Sequence, residues 1–202
     1  MADERVRIFI DFWNFQLAWN DYHRAQGAQN VVRIPWNPRL YEALVSSIDK
    51  TAVYAGTHVF ASFDPLSKKD LQLRKFLNVM DSFPGYDVVV KERKPLHHMR
   101  CSNEGCRLEI SKCPHCAQEI RRTVEKGVDT AIVTDLIRFG IDDYYDRAIL
   151  VAGDADHIPA VEFLGARMKQ VTHAWFKGHA NELRNACWNH VYFEDLMPAL
   201  TQ

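Results

Sequence analysis

Apolar positions along the chain fall into two periods that take turns. Val6, Ile8 and Ile10 occupy alternate places before Asp11, the pattern of a short strand that ends in an acid. From Phe12 the spacing lengthens: Phe12, Phe15 and Trp19 recur as on a helix, and Gly27 offers a stop. Pro35 and Pro38 mark a loop, after which residues 39–49 set Leu40, Ala43, Leu44 and Ile48 on one helical face. A strand over 56–63 closes at Asp64 and Pro65. A helix over 67–83 follows, with Leu71, Leu73, Phe76, Leu77 and Met80 apolar against Lys68, Lys69, Arg74 and Lys75. Pro84 and Gly85 end it, and residues 86–90 form a third strand. Beyond a basic, cysteine-bearing stretch, 128–141 reads as a helix and 148–152 as a buried, continuously apolar strand. A helix over 158–168, a strand over 171–176, a helix over 181–186, a short strand over 191–193 and a C-terminal turn complete the pattern.

Strands alternating with helices predict an α/β chain: a three-layer α/β/α architecture around a mostly parallel sheet. With 202 residues and 47% hydrophobic content, we expect one domain over 1–202 carrying a small insertion over 97–122. Ligand sites in such sheets form beyond the carboxyl ends of the strands, where Asp11, Asp154 and Asp156 all lie. Acids at the end of a buried strand are costly to ionise without a cation or hydrogen-bond donors. Asp154 and Asp156 therefore either bind a metal or act as a base, or they cap the helix that follows. Asn14, three residues after Asp11, is open to the same pair of readings, cap or site. A net charge of −1 argues against an overall electrostatic hold on nucleic acid but leaves a local basic patch open. No apolar run approaches the roughly 18 residues of a membrane span. The charged opening residues pass straight into a strand without a signal-peptide core, so a cytoplasmic location is expected.

Asp129, at the start of the helix over 128–141, adds a third acidic segment. Carboxylates gathered from separate segments suit Mg2+ or Mn2+, and such ions suit phosphodiester chemistry. The motifs I-D-F-W-N (10–14), K-G-V-D-T-A-I-V-T-D-L (126–136) and A-I-L-V-A-G-D-A-D-H-I-P (148–159) resemble those of the NYN domain family. That family belongs to the PIN-like nuclease superfamily, and the chain looks most like its bacterial LabA-type branch. The resemblance implies a ribonuclease in which acids hold Mg2+ or Mn2+ and water attacks the RNA backbone. Residue by residue it implies that Asp11, Asp129, Asp154 and Asp156 are the acids and that Asn14 orients the metal or its water. Asp135 falls in the same pattern, but six residues beyond Asp129 it lies on another helix face, as a supporting or a purely structural acid. Lys126 opens the second motif and is a further candidate beside the site. Two positions depart from the family: Phe12 stands where relatives carry a small residue and is expected to narrow the approach to Asp11. His157 stands where an aromatic is common, either contacting phosphate, donating a proton, or lying partly exposed in the turn. A haloacid-dehalogenase-like phosphatase also places an acid after its first strand but needs a second Asp two residues on, where this chain has Trp13.

Cys101, Cys106, Cys113 and Cys116 have the spacing C-x4-C-x6-C-x2-C, which suits a closed, structural Zn2+ site, with His97, His98 and His115 as alternative ligands. From 91 to 126 nine Lys and Arg stand against five Glu, a local excess of four positive charges. Lys91, Arg93, Lys94, Arg121 and Arg122 are the candidates for holding a nucleic acid backbone, with Trp13 as a candidate base-stacking ring. The expected partner is RNA, no membrane contact is expected, and association between copies of the chain is left open. The other function class the residues allow is a nucleic-acid-binding or regulatory module that cleaves little.

Overall fold

The structure is a computed structural model, which describes residues 3–96, 99–101, 103–120 and 122–201. In order the chain forms β1 (Arg5–Asp11), α1 (Phe12–Ala25), a wide turn over Trp36–Leu40, α2 (Tyr41–Ser46), β2 (Val53–Phe63), α3 (Lys68–Asp81) and β3 (Tyr86–Glu92). Four short strands follow: β4 (Lys94–Leu96), β5 (Met99–Arg100), β6 (Glu109–Ile110) and β7 (Arg122–Val124). The second half forms α4 (Val128–Ile141), β8 (Arg147–Val151), a single 3₁₀ turn over Ala155–His157, α5 (Ile158–Gly165), β9 (Gln170–Trp175), α6 (Asn181–Ala186), β10 (Asn189–Tyr192) and α7 (Phe193–Leu200).

Among the described residues the main sheet has the order β10-β9-β8-β1-β2-β3, and every pairing in it is parallel. The chain builds outward from β1 through β2 to β3, then returns to β8 on the other side of β1 and builds outward again. The order therefore reverses between β1 and β8, where the chain leaves the two strands toward opposite faces, the point at which sheets of this kind bind ligands. Alternation along β1 sends Val6, Ile8 and Ile10 to a core shared with Phe12, Phe15 and Trp19 of α1. Phe9 faces the opposite core, against Val128, Ile132 and Leu136 of α4. These are the two outer layers of the predicted three-layer architecture.

Several boundaries move. β2 starts at Val53, before the expected 56, because it continues to pair with the start of β1 at Arg5 and Val6. The helix expected over 39–49 is regular only from Tyr41 to Ser46, and α5 stops at Gly165. The C-terminal turn is instead the helix α7. Pro198 lies inside it and argues locally against a helix. Burial of Phe193 and Leu200 at its two ends outweighs that preference. Phe193 stacks against Phe15 and Phe176 at ring separations of 4.7 and 5.2 Å.

The segment expected to be an insertion hangs on an antiparallel stem formed by β4 and β7. Beyond the stem, β5 pairs with β6, and Lys112 bridges to Glu119. His97, His98 and Arg121, named above as candidates, lie outside the described residues.

Candidate active site

Asp11 is both the last residue of β1 and the cap of α1. Its Oδ1 accepts the backbone N–H of Asn14 at 3.0 Å, as expected of Asp before a helix. Asn14 returns its side chain to the same acid: Nδ2 donates to Asp11 Oδ2 at 2.9 Å. The Asn14 Oδ1 accepts the N–H of Gly153, just beyond β8, at 3.3 Å. One carboxamide thus ties the ends of the two central strands together. The cap of α1 is thus Asp11 and not Asn14, which bonds that acid from the first turn of the helix. Gly153 is required by closeness: a Cβ there would stand 3.1 Å from Asn14 Oδ1 and 2.8 Å from the Trp175 ring.

Asp129 enters from the first turn of α4. That helix starts at Gly127, whose φ of 81° is the left-handed region that favours glycine. Asp154 caps the 3₁₀ turn after β8 by accepting the N–H of Asp156 at 3.0 Å, and Asp156 itself is exposed. The same turn carries His157 inward. His157 is 0% exposed, and neither ring nitrogen has a hydrogen-bond partner. The expectation of a partly exposed turn histidine is therefore overturned, because the turn capped by Asp154 directs the ring under the sheet end.

Ligand atoms of Asp11, Asp129 and His157 all lie within 4.8 Å of one another, and among the described residues no other three His, Cys, Asp or Glu groups do so. Asp154 and Asp156 stand outside this tight group, yet close enough for their charge to act on Asp129. Burial pushes Asp11 up to about 6; Glu125 and Asp129 push in the same direction and the Asn14 hydrogen bonds oppose it. Burial also raises Asp129, with His157 opposing and Asp154, Glu125 and Asp156 reinforcing. Burial holds the His157 ring below its usual range against the pull of the three neighbouring aspartates.

Glu125 was not among the residues expected at the site, yet its charge acts on both Asp11 and Asp129. It ends the return path from the stem, accepts a short hydrogen bond from Ser62 Oγ and pairs with Arg93 at 3.6 Å. Arg93 also donates to Ser62 Oγ at 2.9 Å and lies 5.3 Å above the Trp13 ring. A glutamate four residues before Asp129 was the available signal, but its relevance depends on the tertiary contact with β2. Trp13 is anchored by its Nε1–H to Ser62 O at 2.7 Å, so Arg93 occupies a face on which a base would stack. Phe12 does not narrow the approach to Asp11: it is 2% exposed and stacks on Trp36 in the core. Asp135 pairs with Arg138 at 2.9 Å along α4 and does not join the group. Lys91, Lys126 and Asp135 line one open groove beside the N-terminal half of α4. Lys94 is exposed on the stem, and Arg122 lies with Asp64 and Glu119 in a pocket at the stem's other side.

The cysteines occupy two tight turns. Cys101 N–H donates to Leu108 O, and Cys106 N–H to Asn103 O; in the second turn Cys113 N–H donates to Gln118 O and Ala117 N–H to Cys113 O. Backbone amides of Cys116 and His115, and then the Cys116 thiol, lower the Cys113 thiol below its usual value. The second turn thus directs two amides at the Cys113 sulfur, while among the described residues no three of the four sulfurs lie within 4.8 Å of one another.

A parallel sheet between two helical layers, with buried Asp11 and half-buried Asp129 at its switch point, is the layout of a doubly wound α/β domain with its candidate site at the carboxyl ends of the strands. The chain belongs to the NYN domain family, whose model matches residues 5–195. No curated protein matches it. A solved structure similar to it is that of a protein of unknown function from Vibrio parahaemolyticus RIMD 2210633, with 19% identity, 96% of this chain and 95% of that chain covered, and a TM-score of 0.58. That likeness is one of fold alone. No helix among the described residues is long and apolar enough to cross a membrane.

The raised Asp11 carboxyl has a measurable consequence. In the metal-free chain it keeps its proton up to about pH 6, against an ordinary value of 3.8. Between these values the folded state binds the extra proton, so this group's contribution to stability falls as pH rises and is fully lost above about pH 6. Asp11→Asn, which keeps a capping oxygen, should gain on wild type across that window by an amount on the order of 3 kcal/mol. Denaturant titrations in EDTA at a series of pH values check this, and a stability difference independent of pH contradicts it.

Proposed function

We propose that the chain is a ribonuclease that depends on a divalent cation and hydrolyses phosphodiester bonds at the end of β1 and β8. The observation that carries this reading is the burial of Asp11 beside Asp129 at the switch point. Among the described residues no lysine, arginine or histidine forms an ion pair with either carboxylate. Two acids held above their ordinary range by burial and by neighbouring acids, Glu125 acting on both, fit a site whose missing charge is a cation. Asp11 and Asp129 would hold Mg2+ or Mn2+, with Asp154 and Asp156 at the rim of the site. Such an ion supplies Lewis-acid polarisation of a phosphoryl oxygen and a water that deprotonates more readily.

The chain's own residues supply the rest. Asn14 fixes the orientation of the Asp11 carboxylate and keeps it in register with the turn after β8. Arg93 neutralises Glu125, so that this acid can stand near the site without adding a full uncompensated charge. Lys91 and Lys126 offer positive charge along the groove beside α4, suited to the phosphates of a strand leading to the site. RNA as the substrate follows from the family resemblance. In the same reading, Cys101, Cys106, Cys113 and Cys116 hold a structural Zn2+. The amides already directed at the Cys113 sulfur support this, and four protein ligands would leave no place on that ion for substrate.

Purified protein should cleave labelled RNA in the presence of Mn2+, and Asp11→Asn or Asp129→Asn should slow cleavage on the order of 100-fold or more. Single-stranded RNA, structured RNA and single-stranded DNA are compared side by side. Equal cleavage by wild type and both variants removes the proposed site, and binding without cleavage of any substrate assigns a binding module instead. For the insertion, elemental analysis should find zinc in wild type and none in Cys113→Ser; zinc absent from both contradicts the structural ion.

A further inference from the structure

The reading above gives no task to His157. It is 0% exposed, and both ring nitrogens lack hydrogen-bond partners, an arrangement that buried polar groups rarely tolerate. Its position excludes two of the uses that sequence allows. A ring with no exposed surface does not meet a phosphate from solvent. Nor does a ring without exposed surface reach a leaving oxygen on a bound strand to donate a proton. What the ring does face is the acid pair. One nitrogen lies within 4.8 Å of carboxylate oxygens from both Asp11 and Asp129, yet forms neither a hydrogen bond nor an ion pair with them. Donor atoms sharing one six-coordinate ion, with bonds near 2.1 Å, stand roughly 3 to 4 Å apart. A small displacement of the three groups therefore encloses an ion, whereas their present spacing satisfies none of them.

We propose that His157 is a direct ligand of the site cation, completing a set of two carboxylates and one imidazole that selects a first-row transition ion over Mg2+. The proposal rests on the metal-dependent reading above and adds the third ligand and the metal preference. Magnesium is held by oxygen and gains little from an imidazole, whereas transition ions accept ring nitrogen readily. The sequence around the ring serves this end. Asp154 caps a turn of only three residues, Ala155–His157, and that turn places His157 rather than Asp156 toward Asp11 and Asp129.

Mn2+ is a suitable probe because its electron spin reports on directly bonded nitrogen. Metal-free wild type loaded with Mn2+ should show nitrogen-14 modulation in electron spin echo experiments, replaced by the nitrogen-15 pattern when histidine is isotopically labelled. His157→Phe, a volume-conserving aromatic substitution, should abolish the modulation. Equilibrium dialysis should show its Mn2+ affinity lowered by at least about ten-fold, with Mg2+ affinity altered by less than about two-fold. The labelled wild type carries the test even if the variant folds poorly. Bound Mn2+ without nitrogen modulation in wild type, or modulation that persists in a folded His157→Phe, overturns the assignment of His157 and leaves the carboxylate site standing. Failure of wild type to bind Mn2+ at all overturns both.

Discussion

Asp11 ends the strand at the middle of a parallel sheet, and at 1% exposure its carboxylate has lost nearly all contact with water. A charge in that position is costly unless donors or a cation reach it. Asn14 supplies two donors, its backbone N–H and its amide, and the same amide takes the N–H of Gly153. The acid is thereby held rigidly and β1 is joined to the turn after β8. The hydrogen bonds do not cancel the burial, since Asp11 remains raised to about 6. The remaining mismatch is what makes the site fit a cation.

Much of this was legible along the chain. Alternation at Val6, Ile8 and Ile10 located β1 and its acid, and the apolar run before Gly153 located β8 and its turn. Together with the helical spacing between them, these patterns set a parallel sheet and placed Asp11, Asp154 and Asp156 at its carboxyl ends. The ranking of the acids was not legible. Asp154 and Asp156 flank one residue, and only the geometry of the short turn decides that His157, not either aspartate, meets Asp11 and Asp129. Glu125 escaped notice because its importance comes from Ser62, 63 residues away in the chain. Phe12 was misjudged because its ring packs on Trp36 in the core, while the backbone beside it forms the site. Pro198 concealed α7, since local preference is weaker than the burial of Phe193 and Leu200.

The stem formed by β4 and β7 adjoins the candidate site. Arg93 leaves β3 for the stem and Glu125 leaves the stem for α4, and the two meet over Ser62 and Trp13. The stem is therefore clamped to the sheet beside the acids by charged and hydrogen-bonded contacts. This clamp also redirects part of the basic stretch: Arg93 is engaged in structure, whereas Lys91 and Lys126 remain along an open groove. The local excess of positive charge is thus divided between holding the fold and lining an open groove.

The central claim is that buried Asp11 at the end of β1 and half-buried Asp129 in the first turn of α4 form a cation site. Crystals grown with Mn2+ and measured for anomalous scattering above and below the manganese absorption edge test it most directly. The account predicts a manganese peak bounded by Asp11, Asp129 and His157. A peak elsewhere with none at these residues, or no peak at saturating Mn2+, would contradict it.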